Sequence, residues 1–326
     1  MFLFISSSTV DLYVKSVFDK SQMFRYQFER CFFAHLHAKG SNGGALCLTS
    51  GQELSIEMNN SVFFNCSVLE GYNGGGIYFY SPNHGNFSFI KVCAIECISK
   101  GFTTGFNGHS QFIFAQVHNY GFIDLQYVSV AKCCPTILLT RWAGSTLYYG
   151  CHLISNTNFS NNKVEWHSAF VSRESTFLHA DFITTARNSA ITYGCLQLYN
   201  VGESSISQMN FVNNSQSSSQ FGLLFSLSPS SLIKDSVFSG NIISGSSLFN
   251  GGSGTLRIIS CYIDSYSYKS TSPTVISPLS LTPTFSIVHY DTFLCFAEIP
   301  CSFDLTINLV MNNRIPFIML LQYITI

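Results

Sequence analysis

Residues 62–80 read VFFNCSVLEGYNGGGIYFY, and this stretch holds one complete repeating unit. An apolar strand, Val62-Phe63-Phe64, runs into a turn at Asn65-Cys66-Ser67. A polar stretch follows, and then a glycine step, Gly74-Gly75-Gly76, leads into a second apolar strand, Ile77–Tyr80. Upstream the order repeats as Cys31-Phe32-Phe33-Ala34, a polar stretch, Gly43-Gly44-Ala45-Leu46 and Cys47-Leu48. Apolar anchors flanked by Asn, Ser or Cys recur at Phe33, Phe64, Ile95, Val130, Phe159, Phe182, Phe211, Phe238 and Ile263. Self-similarity at a spacing of roughly 29 residues is the mark of a solenoid.

Local patterning agrees. Leu54–Met58, Phe87–Ile90 and Phe122–Tyr127 alternate at near period two, which is strand spacing. No segment keeps a helical apolar stripe over three turns. Strands this short cannot bury an apolar face alone, so successive units must stack in parallel and share one core. Parallel connections of this kind are right-handed. Gly supplies tight or left-handed corners, and Asn tolerates them better than most residues. In the second half the unit becomes F-x-x-N, at Phe159–Asn162, Phe211–Asn214 and Phe238–Asn241. Asn at one corner of successive units forms a side-chain ladder.

The expectation is therefore an all-β chain, a right-handed single-stranded parallel β-helix of about nine coils, roughly 40–45 Å long at strand spacing. The β-helix repeat domain is placed at residues 1–270, with Ser215–Ser219 as a protruding loop. Pro273, Pro278 and Pro283 cannot sit in central strands, so 271–284 reads as a loop or linker. Residues 285–326 read as a terminal coil or cap, or as a truncated membrane-proximal segment.

The pair G-G-A-[ILV] and F-x-x-N, as in Gly43–Leu46 and Phe211–Asn214, resembles the repeats of polymorphic outer-membrane proteins. It is similar also to repeat families of parasitic-protist surface proteins within the pectin-lyase-like β-helix superfamily. The resemblance spans about residues 15–270. It lacks the C-terminal β-barrel of the bacterial proteins, so autotransport is not implied. It implies surface display and an adhesive or antigenic role, and brings no catalytic residues with it.

Charged residues make up 10% of the 326 positions, against about 25% in ordinary soluble domains, and there are 31 Phe. The net charge of −1, without a Lys/Arg cluster, argues against a nucleic-acid partner. Cys66 and Cys97 each lie two places after their anchors. Stacking would bring them within disulfide range, while the alternative is small buried apolar residues. Glycan-cleaving enzymes on this scaffold need paired carboxylates or a calcium cluster with a base. Asp124, Asp181, Asp235 and Asp264 fall at different offsets from the anchors, so they are not expected to line one face. His35 and His37 share strand parity with Cys31 near, but read as polar residues at a strand end; no metal site and no cofactor is assigned. Glu165 and His167 read as a solvent-facing pair. Sequons at Asn59, Asn65, Asn86, Asn158 and Asn213 number about what chance predicts.

Met1–Ile5 is short for a secretory core, and Ile315–Ile326 is short of the roughly 17–25 residues that span a bilayer. The functional expectation is a non-catalytic module at the cell surface, or secreted, that recognises a glycan or a cell-surface protein. Membrane association would come through a missing or truncated C-terminal anchor. The alternatives are a pectin-lyase-like polysaccharide lyase or hydrolase, and a truncated family member without independent function.

Overall fold

Strands pair with their counterparts in adjacent coils, and every pairing among the described residues is parallel. A computed structural model describes residues 24–264 apart from 52, 70, 101–109, 119, 135–142, 218–220, 245–246 and 253. It also describes the backbone of short strands at 4–6, 13–14, 270–271, 274–276 and 279–280. The chain is all-β, a parallel β-solenoid of about seven turns. Seven coils carry a strand on all four faces among the described residues, slightly fewer than the nine coils expected.

One coil shows the plan. Cys151–Ser155 lies on face one, Asn158–Ser160 on face two, Lys163–Val164 on the short face three and Phe170–Arg173 on face four. The next coil repeats it with Phe177–Asp181, Thr184–Ala186, Ser189–Ala190 and Leu196–Tyr199. In two early coils faces one and two are a single bent strand, Leu54–Phe64 and Gly85–Ile95.

The register corrects three anchors. The column that fills the core from face two is Phe33, Phe63, Ala94, Val130, Phe159, Thr185, Phe211, Phe238 and Ile263. Phe64 and Ile95 are each one place too far along. A one-residue shift on a strand turns a side chain to the opposite face, so both point away from the core and are only half-buried. The pair Phe63-Phe64 hides the slip, and at Ala94-Ile95 the smaller residue takes the inside. Phe182 is not on a strand; it occupies a corner with φ of 53°, and Thr185 holds the core position.

From the corrected column the corners become regular. The residue three places before it is left-handed in every coil from Arg30 through Asn60, Lys91, Tyr127, Asn156, Phe182, Gln208 and Asp235 to Ser260. The residue two places after it is left-handed from His35 through Asn65, Glu96, Lys132, Asn161, Arg187 and Asn213 to Gly240. Two such bends delimit the narrow face two. The glycine step makes the entry to face four: Gly43 and Gly74 have φ of 76° and 71°. A Cβ on either would collide with the carbonyl oxygen of Leu46 or Ile77. Gly44, Gly75 and Gly76 likewise leave no room, the first two against backbone and the third against the Phe112 ring.

Three places after the column runs a ladder. Cys66, Cys97 and Cys133 are followed by Asn162, Asn188, Asn214 and Asn241, all buried. Asn188 Oδ1 accepts from the Asn162 backbone N–H at 3.0 Å, and its Nδ2 donates to Phe159 O at 2.8 Å. Asn214 and Asn241 repeat the pattern one and two coils on. Cys133 joins the series, its N–H donating to Asn162 Oδ1 at 2.9 Å. In the cysteine half the thiols reach toward equivalent carbonyls, Cys66 Sγ to Phe33 O at 3.5 Å and Cys97 Sγ to Phe63 O at 3.8 Å. The inside is otherwise apolar, with Phe33 stacked on Phe63 (centroids 4.5 Å apart) and Phe238 edge-on to Phe249.

Stacking does not stop at residue 270. Ser270–Thr271, Thr274–Ile276 and Leu279–Ser280 pair with Phe249–Asn250, Leu256–Ile258 and Cys261–Tyr262, so strands occupy part of the expected linker. None of the three strands contains a proline: one precedes Pro273, one lies between Pro273 and Pro278, and one follows Pro278. Ser215–Gln216, expected in a loop, is a strand of face three. The expected terminal segment at 285–326 lies outside the described residues.

Candidate binding surface

The outer sides of faces one and four differ in chemistry. One outward row of face one runs Gln27, Glu57, Ser88, Asp124, Leu153, His179, Ser205, Leu232 and Arg257, mostly polar or charged. Aromatic rings line the outer side of face four, half-buried at Tyr78, Tyr148 and Tyr199 and buried at Phe114, which is 6% exposed. Tyr78 stacks on Phe114 with centroids 5.1 Å apart and planes at 10°, and Phe114 lies 5.4 Å from Tyr148. Arg173 then covers Tyr148 at 5.0 Å and Tyr199 at 4.5 Å, while its Nη1 donates to the Tyr148 hydroxyl at 2.9 Å. The five side chains come from five consecutive coils, so the ribbon is about 19 Å long at strand spacing.

A second tier flanks the first: His118 stacks on Tyr149 at 4.4 Å and meets Tyr80 edge-on at 6.3 Å. Beyond it His84 stacks on Tyr120, which is 76% exposed. Burial pushes the Tyr78 hydroxyl up to about 12 and raises Tyr148 and Tyr149 as well, so these phenols are neutral near pH 7. Where the ribbon ends at Tyr199, a shallow cavity of about 420 Å³ opens between Asn200, Gly202, Leu227 and Pro229. Flat rings with polar edges and one guanidinium can stack on a ligand and hydrogen-bond its rim.

The residues singled out from sequence fall elsewhere. Cys66 and Cys97 are ladder neighbours, as their matching offsets implied, but both are free thiols and no bridge joins them. Cys47, Cys66, Cys97, Cys133, Cys151, Cys195 and Cys261 are buried free thiols, and Cys93 is disulfide-bonded. His35 sits at a left-handed corner against Asn65 at 3.0 Å. His37 pairs with Ser67 at 2.7 Å, and burial, with His35 second, lowers its pKa. Among the described residues no group of three or more His, Cys, Asp or Glu is placed to hold a metal.

The reading of Glu165 and His167 as a solvent-facing pair is overturned. His167 is 1% exposed, packs on Tyr193, and is held by burial down to about 3. A second buried imidazole, His152, bonds Ser172 at 2.8 Å and Tyr149 O at 2.7 Å, and burial takes it down to about 4.

Two of the aspartates do share a face. Asp124 and Asp181 both point outward on face one, two coils apart. Asp181 bonds His179 at 2.7 Å and accepts from the Ser207 hydroxyl; burial raises the pKa of Asp124, opposed by Gln126. Along and across the strands their Cα atoms are about 12 Å apart. Asp235 and Asp264 lie off this face, Asp235 at a left-handed corner and Asp264 accepting from the Gly240 N–H. Of the sequon asparagines, Asn86 and Asn213 are exposed, whereas Asn158 is fully buried.

The aromatic ribbon carries no signal in the sequence. Its members are separated by a coil each and become neighbours only once the register is known.

No family model, no curated protein and no solved structure matches this chain.

Proposed function

We propose that this chain is a non-catalytic recognition module displayed at a cell surface, belonging with the pectin-lyase-like β-helices and their G-G-A-[ILV]/F-x-x-N surface relatives, and that it binds an extended glycan along face four. The observation that carries the reading is the five-coil ribbon from Tyr78 through Phe114, Tyr148 and Arg173 to Tyr199. Sugar rings present apolar C–H faces and hydroxyl rims, which suit stacked aromatic rings with polar edges. A ribbon of about 19 Å matches several consecutive sugar units rather than one. Cys93, which is disulfide-bonded, fits a chain that folds in an oxidising compartment.

The test is a glycan array probed with the folded protein, with and without calcium, while the same glycans are followed for cleavage. Binding that drops at least tenfold in Tyr148→Ala, with stability retained, supports the reading. Binding unaffected by Tyr148→Ala and Tyr199→Ala together would overturn the placement on face four. Silence toward glycans with capture of a defined cell-surface protein would move the partner class.

A second reading has its own observation. Asp124, its pKa raised by burial, shares the outer side of face one with Asp181 and His179. Glycan cleavage abolished by Asp124→Asn would make the chain a carbohydrate-active enzyme instead.

A further inference from the structure

We propose that Asn86 carries an N-linked oligosaccharide whose first sugar packs on the exposed ring of Phe122, an inference that rests on the cell-surface display proposed above. Asn59, Asn65, Asn86, Asn158 and Asn213 each stand two places before a serine, the pattern that marks an N-glycan acceptor. The pattern alone does not rank them, but the fold does.

Asn158 is fully buried, and a sugar attached there has no room. At Asn59 the hydroxyl of the pattern, Ser61, is also fully buried and donates to Asn59 O at 2.8 Å. Asn65 is half-buried against His35 Nδ1 at 3.0 Å, and its Ser67 is bonded to His37 at 2.7 Å. Asn213 is exposed, but it stands at a left-handed corner with φ of 54°, and its Oδ1 lies over Gly240, where a Cβ would collide with it. Asn86 has none of these ties. It lies on the bent strand Gly85–Ile95, where Phe87 and Phe89 fill the core, so alternation turns Asn86 and Ser88 outward together. Asn86 is exposed and Ser88 half-buried, and among the described residues no hydrogen bond or ion pair holds either side chain.

The surroundings supply a seat for the sugar. Asn86 is in register with Phe122 on the next coil, about 4.8 Å away at strand spacing. Phe122 is 44% exposed, and Tyr120, stacked on His84, is 76% exposed. Two of the five large apolar side chains left exposed among the described residues thus gather near one acceptor. The apolar C–H face of a pyranose stacks on such a ring and takes it out of water. In the transfer, Asn86 Nδ2 bonds to C1 of the reducing-end sugar while the C1–O bond to a lipid diphosphate breaks. The donor is therefore a lipid-diphosphate-linked oligosaccharide, and the lipid diphosphate leaves with the amide proton.

The deciding experiment isolates the intact chain from the surface and secreted fractions of the cells that make it. Peptide-N-glycosidase F in heavy-oxygen water then leaves a labelled aspartate wherever a glycan stood, and peptide mass spectrometry reads it. The expected result is label at position 86, less at 213 and none at 59, 65 and 158, with the label at 86 lost in Ser88→Ala. No label at position 86 in an exported chain overturns the proposal while the recognition reading stands; a chain found only inside the cell overturns both. Hydroxyl-radical footprinting tests the packing separately from the bond. Removing the glycan from the folded protein should raise labelling of Phe122 at least about threefold. Unchanged labelling refutes the seat on Phe122.

Discussion

The asparagine ladder makes a quantitative demand at Asn188. Its side chain holds the Asn162 N–H at 3.0 Å, Phe159 O at 2.8 Å and Asn214 Oδ1 at 3.1 Å, all in the buried interior. Asn188→Ala removes all three and opens a small void. The Asn162 N–H is then buried without its partner, at about 1–3 kcal/mol, and the Phe159 carbonyl loses a second donor. With the lost packing included, the expected destabilisation is about 3–5 kcal/mol, a large part of any domain's total. Asn188→Asp should be at least as harmful, because a carboxylate oxygen would replace the donor and face two acceptors, Phe159 O and Asn214 Oδ1. Asn188→Cys should be milder than alanine, since Cys66, Cys97 and Cys133 already fill the same column.

Urea unfolding followed by circular dichroism gives the midpoints and slopes. Solenoids can unfold in parts, so amide exchange at Asn162 and Asn188 should be read alongside: exchange should rise there first and remain low on the coils around Phe33 and Phe63. A loss below about 1 kcal/mol at constant slope would refute the ladder as a source of stability.

Other outcomes follow from the same coordinates. Arg187 is exposed at a left-handed corner (φ 54°), so Arg187→Asn should raise the unfolding midpoint by an amount equivalent to about 1 kcal/mol, whereas no gain would argue against corner strain. His152 and His167 titrate near 4 and 3 when folded and near 6.5 when unfolded. The unfolded chain therefore binds more protons below pH 6.5. Stability is complete above that pH and falls by about 1.4 kcal/mol per unit per histidine down to pH 4. A pH titration of the urea midpoint checks this, and His152→Gln should roughly halve the slope. Burial pushes the Cys195 thiol up to about 12 and raises Cys97 well above the ordinary range, and Cys66 is raised likewise by its hydrogen bond with Cys97 and then by burial. Iodoacetamide at pH 8 should leave all three unmodified until urea unfolds the chain; fast native labelling would contradict their burial.

What could be read from the sequence depended on whether a position is defined by its neighbours along the chain or by its neighbours across coils. Gly43-Gly44 and Gly74-Gly75 announce themselves, because a corner that excludes Cβ restricts the residue type directly. F-x-x-N was readable because its three-residue spacing recurs along the chain, although the bonds that Asn162, Asn214 and Asn241 make are to carbonyls of the preceding coil. The anchor column was harder. Solenoid cores accept any side chain that fills the layer, so Ala94 and Thr185 stand where Phe stands elsewhere, and Phe64, Ile95 and Phe182 attract the eye from just beside them. The ribbon from Tyr78 to Tyr199 was invisible for the opposite reason. Its chemistry exists only between strands, and no local constraint selects an aromatic residue on an outward face.

The constancy of the two left-handed corners and the ladder has an evolutionary corollary. Phe159, Thr185 and Phe211 are spaced by 26 residues and then 26 again, with every corner and ladder partner in phase. Excising one such period would splice face onto matching face and leave the spine of asparagines unbroken, only one rung shorter. Losing 25 residues would instead put every downstream side chain on the wrong surface. Copy number is thus the coordinate along which this architecture can drift cheaply, so the length of the ribbon on face four can be reset by recombination between coils without any new packing having to be found.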